Sequence, residues 1–253
     1  MARPPSAGIT GRIFALCLGA GALAWVGATA ARTPDFGELS DFADRLSLGD
    51  TFDLSTLERR ADRSMAQVPE TCSARYLTAA MIVAARALET SIAEADVDDI
   101  DRRLANMRTT AARAVGCSPN HAFGWLGLAW TAIVEGTRDD TTSRLLARSY
   151  AMAPHETWIA LRRHLIVMPL WSDLPAGLQA SAVDEFLDLI RAMQLDFAAR
   201  SFVTAPQRFQ DAIAQRLRTL PELQRAGFAR RVSLLGIDIA APGVPAPRRD
   251  PRR

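Results

Sequence analysis

Ala112-Arg113-Ala114-Val115-Gly116-Cys117-Ser118-Pro119-Asn120-His121-Ala122-Phe123 and Ala147-Arg148-Ser149-Tyr150-Ala151-Met152-Ala153-Pro154-His155-Glu156-Thr157-Trp158 match in pattern at an offset of 35 residues. Each reads as a helix end, a proline that stops the helix, and an aromatic that opens the next one. A repeat at about 34 residues is one helix-turn-helix unit, which cannot bury its apolar face alone and must stack on its neighbours. The fold predicted is an all-α solenoid of helical hairpins, and such stacks usually bind other molecules rather than catalyse.

The flanking sequence extends the pattern in both directions. From Ser73 to Ser91, the residues Tyr76, Leu77, Ala80, Met81, Ala84 and Leu88 recur three or four apart, as one face of a helix requires. The next helix starts near Asp98 and buries Ile100, Leu104, Met107, Ala111 and Ala114. The carboxylates between Asp96 and Asp101 resemble a cation loop, but Asp101 stands where calcium loops need Gly and Met107 where they need Glu. They read better as acids set against the positive end of a helix dipole.

His121 to Glu135 is apolar almost all round, as expected of a helix packed on two sides. Gly136 ends it, and Asp139 or Asp140 caps the next. After Pro154 a further apolar helix runs through Trp158, Ile159, Leu161 and Leu165. Pro169 and Pro175 then interrupt the pattern before a helix bearing Val183, Phe186, Leu187 and Ile190. Two shorter helices are predicted after that, through Phe209, Ile213 and Leu217, and through Leu223 and Val232. Upstream, Ser55-Thr56-Leu57-Glu58 fits a capping box for a helix to about Gln67. No alternation of period two survives anywhere.

The chain has 253 residues, about half of them apolar, and a formal charge of +2. All 30 basic residues are arginine. They are scattered among Asp and Glu without a long basic run interleaved with aromatics, so nucleic acid is not an expected partner.

Arg3 and Arg12 precede Ile13 to Ala30, a run without a charge. A positive flank, an apolar stretch and small residues at Ala28 and Ala30 predict an export segment, either cleaved or retained as an anchor. The expected divisions are an export segment at 1–31, a tether with short helices at 32–69, the helical repeat at 70–236 and a disordered Pro- and Arg-rich tail at 237–253. The expected location is periplasmic, soluble or held at the inner membrane by residues 13–30.

In an oxidising compartment Cys72 and Cys117 become a candidate disulfide. Cys72 precedes one helix of a hairpin and Cys117 ends the other, and two arms of nearly equal length bring those ends together. Burial as two unpaired cysteines is the alternative.

Chemistry-bearing motifs are scarce. The sequence has no Gly-x-Ser-x-Gly, no phosphate loop with its lysine, and Ile159 stands where a zinc helix starting at His155-Glu156 requires His. No catalytic residue, cofactor or metal is predicted. Arg162-Arg163-His164 is the most basic spot in the ordered region and the candidate partner-binding residues, with a solvated helix face as the plain alternative. Trp125, Trp130, Trp158 and Trp171 either build core or line a sugar-binding groove. Asp184 and Glu185 would be the acid and base of an envelope-polymer hydrolase, but being adjacent they stand about 100° apart on a helix.

From about Ser73 to Met168 the chain resembles tetratricopeptide repeats (TPR-like). Trp125, Leu128 and Ala129 fall where that family has Trp, Leu and Gly or Ala, and Pro119 and Pro154 where its repeat-closing Pro stands. The stretch from Leu145 to Arg162 is also similar to a segment of small exported proteins of bacterial exopolysaccharide biosynthesis. The first resemblance implies a non-enzymatic scaffold for protein-protein interaction, without a cofactor. The second implies an accessory role in polymer assembly or export, with a protein of an envelope or polysaccharide machine as partner. A polysaccharide-binding module or hydrolase is the other class of function compatible with the sequence.

Overall fold

Helix α4 (Ala74–Glu94) is buried around most of its circumference, because Ala79, Ala80, Ala84 and Ala87 let neighbouring backbones approach while Leu77, Met81, Val83 and Leu88 fill the spaces between them. The computed structural model describes residues 9–31, 36–237 and 239, and in those residues it contains helices and no strand. Before α4 come α1 (Ile9–Ala31), α2 (Phe36–Ser47), α3 (Leu54–Gln67) and a 3-10 turn at Val68–Glu70. After it come α5 (Val97–Cys117), α6 (Ala122–Val134), α7 (Asp140–Met152), α8 (Thr157–Val167), a 3-10 segment at Met168–Asp173 and α9 (Ala176–Arg191). Then α10 (Leu195–Thr204), α11 (Gln207–Arg216), a 3-10 turn at Leu217–Thr219 and α12 (Glu222–Leu234) complete the order.

Some neighbours in sequence are neighbours in space, while α2 packs on α4 and α10 on α12, each pair skipping the helix between. Helix α5 packs on α4 and on α6, α6 on α7, and α8 on α9, while α4 also touches α6, α6 touches α8, and α7 touches α9. The turns that permit this are capped as local chemistry dictates. Asp96 accepts from the Asp99 amide at 3.2 Å, Asp139 from the Thr141 amide at 2.8 Å, and Gly136 takes φ +83° where α6 stops.

The structure refines three expectations. The cap of α3 is Asp53, which accepts from the Thr56 amide at 2.9 Å and from the Ser55 hydroxyl at 2.7 Å, so the capping box at Ser55 does not form. Those bonds hold the Asp53 carboxyl down at about 2. The stretch expected at 32–69 as a tether with short helices holds the short helices α2 and α3, and these send Leu39, Phe42, Ala43, Leu57 and Ala61 into the core against α4. Helix α10 has no counterpart in the sequence reading, since alanines supply much of its buried face (Ala198, Ala199, Phe202) and leave little periodic signal.

Helix α1 carries the predicted export segment, and its side chains from Gly11 to Gly27 are exposed. The described helix long and apolar enough to cross a membrane is α4, whose apolar window is 67% buried inside the protein and which serves as the central core helix. The expected disordered tail lies outside the described residues, apart from Ile237 and Ile239.

Candidate functional site

Cys72 and Cys117 form a disulfide, with Cα atoms 5.4 Å apart. It joins the residue before the cap of α4 to the last residue of α5, which are 21 residues long each, so the hairpin is pinned where its equal arms end. Beside it the Arg113 guanidinium donates to the Thr71 carbonyl at 2.9 Å.

This braced hairpin forms one wall of a cavity of about 330 Å³ that runs across α4, α6 and α8. Its interior is apolar, built from Met107, Phe123, Leu126 and Trp130, and its edge carries Glu89, Arg138 and Arg162. Two contacts set its depth. Gly127 lets α6 settle close on α4 and α5: a Cβ there would stand 2.7 Å from the Met81 methyl, 2.9 Å from the Met107 methyl and 3.1 Å from Ala111 Cβ. At the start of α6, His121 caps the helix by accepting from the Gly124 amide at 2.9 Å, and its Nε2 lies 2.9 Å from the Thr78 hydroxyl of α4. Burial lowers the pKa of His121 and favours the neutral ring that this bonding needs.

Arg162 is a polar group on the edge of the groove. It is half-buried, and its guanidinium lies over the Phe123 ring at 5.9 Å, while Trp158 meets that ring edge-on at 5.0 Å. Desolvation pushes its pKa below the ordinary arginine value, Glu89 opposing and Arg86 reinforcing the shift. Among the described residues it has no hydrogen bond or ion pair; the nearby Glu89 pairs with Arg86 at 3.2 Å. A partly desolvated cation in an apolar groove, with Glu89 acting on it but no direct hydrogen bond or ion pair among the described residues, is a group that a closely placed anion would stabilise further.

The basic cluster read from the sequence separates in space. Arg163 and His164 are buried and do not form a surface patch with Arg162. Arg163 donates to Glu185 at 3.0 Å, to the Ser149 hydroxyl at 3.1 Å and to the Ala153 carbonyl at 2.9 Å, and its guanidinium stacks on Tyr150 at 4.2 Å. His164 packs among Phe186, Phe197 and Phe209, where burial drives its pKa down to about 4. Successive residues of a helix point about 100° apart, so three in a row cannot share one face.

The remaining candidates are placed as follows. Asp184, Glu185 and Asp188 border a cleft of about 900 Å³ between α7 and α9, yet each carboxylate already has a partner. Asp184 pairs with Arg216, Glu185 with Arg163, and Asp188 with Arg191 and with His155 at 3.0 Å. Desolvation pushes Glu185 up to about 7 against the pull of Arg163. Trp171 is core, Trp125 donates its ring N–H to the Pro119 carbonyl at 2.8 Å, Trp130 reaches the groove, and Trp158 is 40% exposed. Asp99 is engaged by Ser91, Arg102 and Arg103, and no described cluster of three or more His, Cys, Asp or Glu has the spacing of a metal site.

Sequence reasoning missed the groove itself. The one signal for it is the all-round apolarity of α6, which packing on two sides explains equally well.

Comparison with protein-family models, with curated proteins and with solved structures finds no match.

Proposed function

We propose that the chain is an exported, non-enzymatic scaffold of stacked helical hairpins whose groove across α4, α6 and α8 docks an apolar segment of a partner protein carrying a carboxylate. The observation that carries this reading is Arg162, a half-buried cation over Phe123 at the edge of an apolar cavity, with no direct hydrogen bond or ion pair among the described residues. A stack of hairpins is supported by the contacts of the first helices with one another, α4 with α6 and α6 with α8, beside those of α7 with α9. An extracytoplasmic location is supported by the Cys72–Cys117 disulfide and by the uncharged run in α1. The resemblance of Leu145 to Arg162 to exported proteins of exopolysaccharide biosynthesis supports a partner in a polymer-producing envelope machine.

The reading is tested by placing a photo-crosslinking amino acid at Leu165, which is exposed beside the groove, in the producing cell. A protein adduct that disappears with Arg162→Glu, but persists with a charge reversal at Arg45 of α2, which does not line the groove, is expected. No adduct, or one indifferent to Arg162→Glu, refutes groove docking, and an adduct to glycan favours the polysaccharide-binding alternative.

A further inference from the structure

Helix α12 turns an unexpected face outward. Phe228, Ala229 and Val232 are buried against α9 and α10, while Leu223, Arg230 and Leu234 stand on the opposite side. At 100° per residue these three lie within about 40° of one another, a single stripe about 16 Å long. Leu223 is 73% and Leu234 68% exposed. Arg230 is exposed and has no ion pair among the described residues.

A stripe of matching length and opposite charge lies on α2. Helix α2 buries Leu39, Phe42 and Ala43 and turns Gly37, Asp41 and Asp44 outward, with Leu48 continuing the line just past its end at 85% exposure. Asp41 and Asp44 have no ion pair among the described residues, whereas their neighbour Arg45 is held by Asp50 at 2.8 Å. The wider charge follows the same division. Residues 195–237 contain seven arginines against three carboxylates, and residues 36–70 contain eight carboxylates against four arginines.

We infer that the outer face of α12 docks onto the outer face of α2 of a second copy of this chain, Arg230 lying between Asp41 and Asp44 while an α12 leucine covers Leu48. Either direction of α12 brings a leucine to Leu48, since Leu223 and Leu234 flank Arg230. The pairing joins different surfaces of the two copies, so it is heterologous and leaves one free end of each kind, from which rings or open chains grow. A few apolar contacts around one salt-sensitive charge cluster make a reversible association. This inference is independent of the groove, which lies on α4, α6 and α8.

The test uses the full chain in mild detergent, followed by sedimentation velocity over a wide range of concentration at low and at physiological salt. Self-association that weakens with salt is expected, and Arg230→Glu alone or Asp41→Arg with Asp44→Arg should each weaken it about tenfold or more. Combining all three reversals in one chain should restore it. The substituted residues are exposed, so helical content should stay unchanged, and circular dichroism checks this. A chain that remains monomeric throughout overturns the inference, as does an association untouched by the reversals, which would place the contact elsewhere, for example on α1. Binding of a monomeric chain to phosphatidylglycerol vesicles, lost with Arg230→Glu, would also overturn it and assign the α12 face to a lipid surface.

Discussion

The Arg163 guanidinium lies 2.8 Å from the Glu185 carboxylate, and both side chains are removed from solvent where α8 meets α9. The same arginine reaches back to Ser149 and Ala153, so one cation ties the end of α7 to α8 and α9. Removing one partner of such a pair strands the other without compensation, whereas removing both does not. Glu185→Ala should therefore cost about 3–5 kcal/mol, and Arg163→Met with Glu185→Leu should cost much less. Urea denaturation of the three chains measures this. Equal losses in the single and double variants would show that the pair is not what holds the helices together.

Two buried groups give the chain opposing pH responses. His164 has its folded pKa depressed from 6.5 to about 4, so the stability tied to its neutral form is present above pH 6.5 and lost as pH falls towards 4. Glu185 has its folded value raised from 4.5 to about 7, so its contribution is present below pH 4.5 and lost as pH rises through 7. Each shift corresponds to about 3 kcal/mol, and over the shared window the two nearly cancel. His164→Phe, which suits a pocket of Phe186, Phe197 and Phe209, should leave a chain that loses stability from pH 4.5 to 7, and Glu185→Gln one that gains it. Denaturation midpoints against pH read the outcome. Parallel profiles for wild type and both variants would contradict the assignment.

The disulfide restrains a long stretch of the unfolded chain. Cys72 and Cys117 are 45 positions apart, and closing a loop of that length contributes about 4 kcal/mol in the chain-entropy model. Cys72→Ala with Cys117→Ala should lower the unfolding free energy by roughly that amount, and reductant should destabilise the wild type but not the double variant. A thiol assay on the unreduced, denatured chain should find only Cys17, the described free cysteine. Three thiols there, or a double variant as stable as the wild type, would count against the bridge as a stabilising element.

Much of the architecture was legible because it depends on short-range signals. Pro119 and Pro154 stop helices wherever they stand, Asp96 and Asp139 accept from amides two or three residues on, and Gly136 takes a conformation that few other residues tolerate. The disulfide followed from equal arms in one hairpin. The face of α8 was not legible, because Trp158, Ile159, Leu161, Leu165 and Ile166 leave no polar side to orient it. Arg163 and His164 consequently looked like surface residues. Their burial is decided by Glu185, Ser149 and Ala153, which come from other segments and satisfy the guanidinium, and by a ring of phenylalanines around the imidazole.

The sequence by itself determined that the chain is helical, where most of its helices begin and end, and that Cys72 could meet Cys117, since these properties arise within a turn or one hairpin. Only the tertiary structure decided that Arg162 lies over Phe123 in an apolar groove, that Glu185 is an ion-pair partner, and that Leu223 faces outward. Each of those is a relation between helices distant in sequence, and what a side chain meets across such a gap depends on how the helices pack, which periodicity along one helix does not encode.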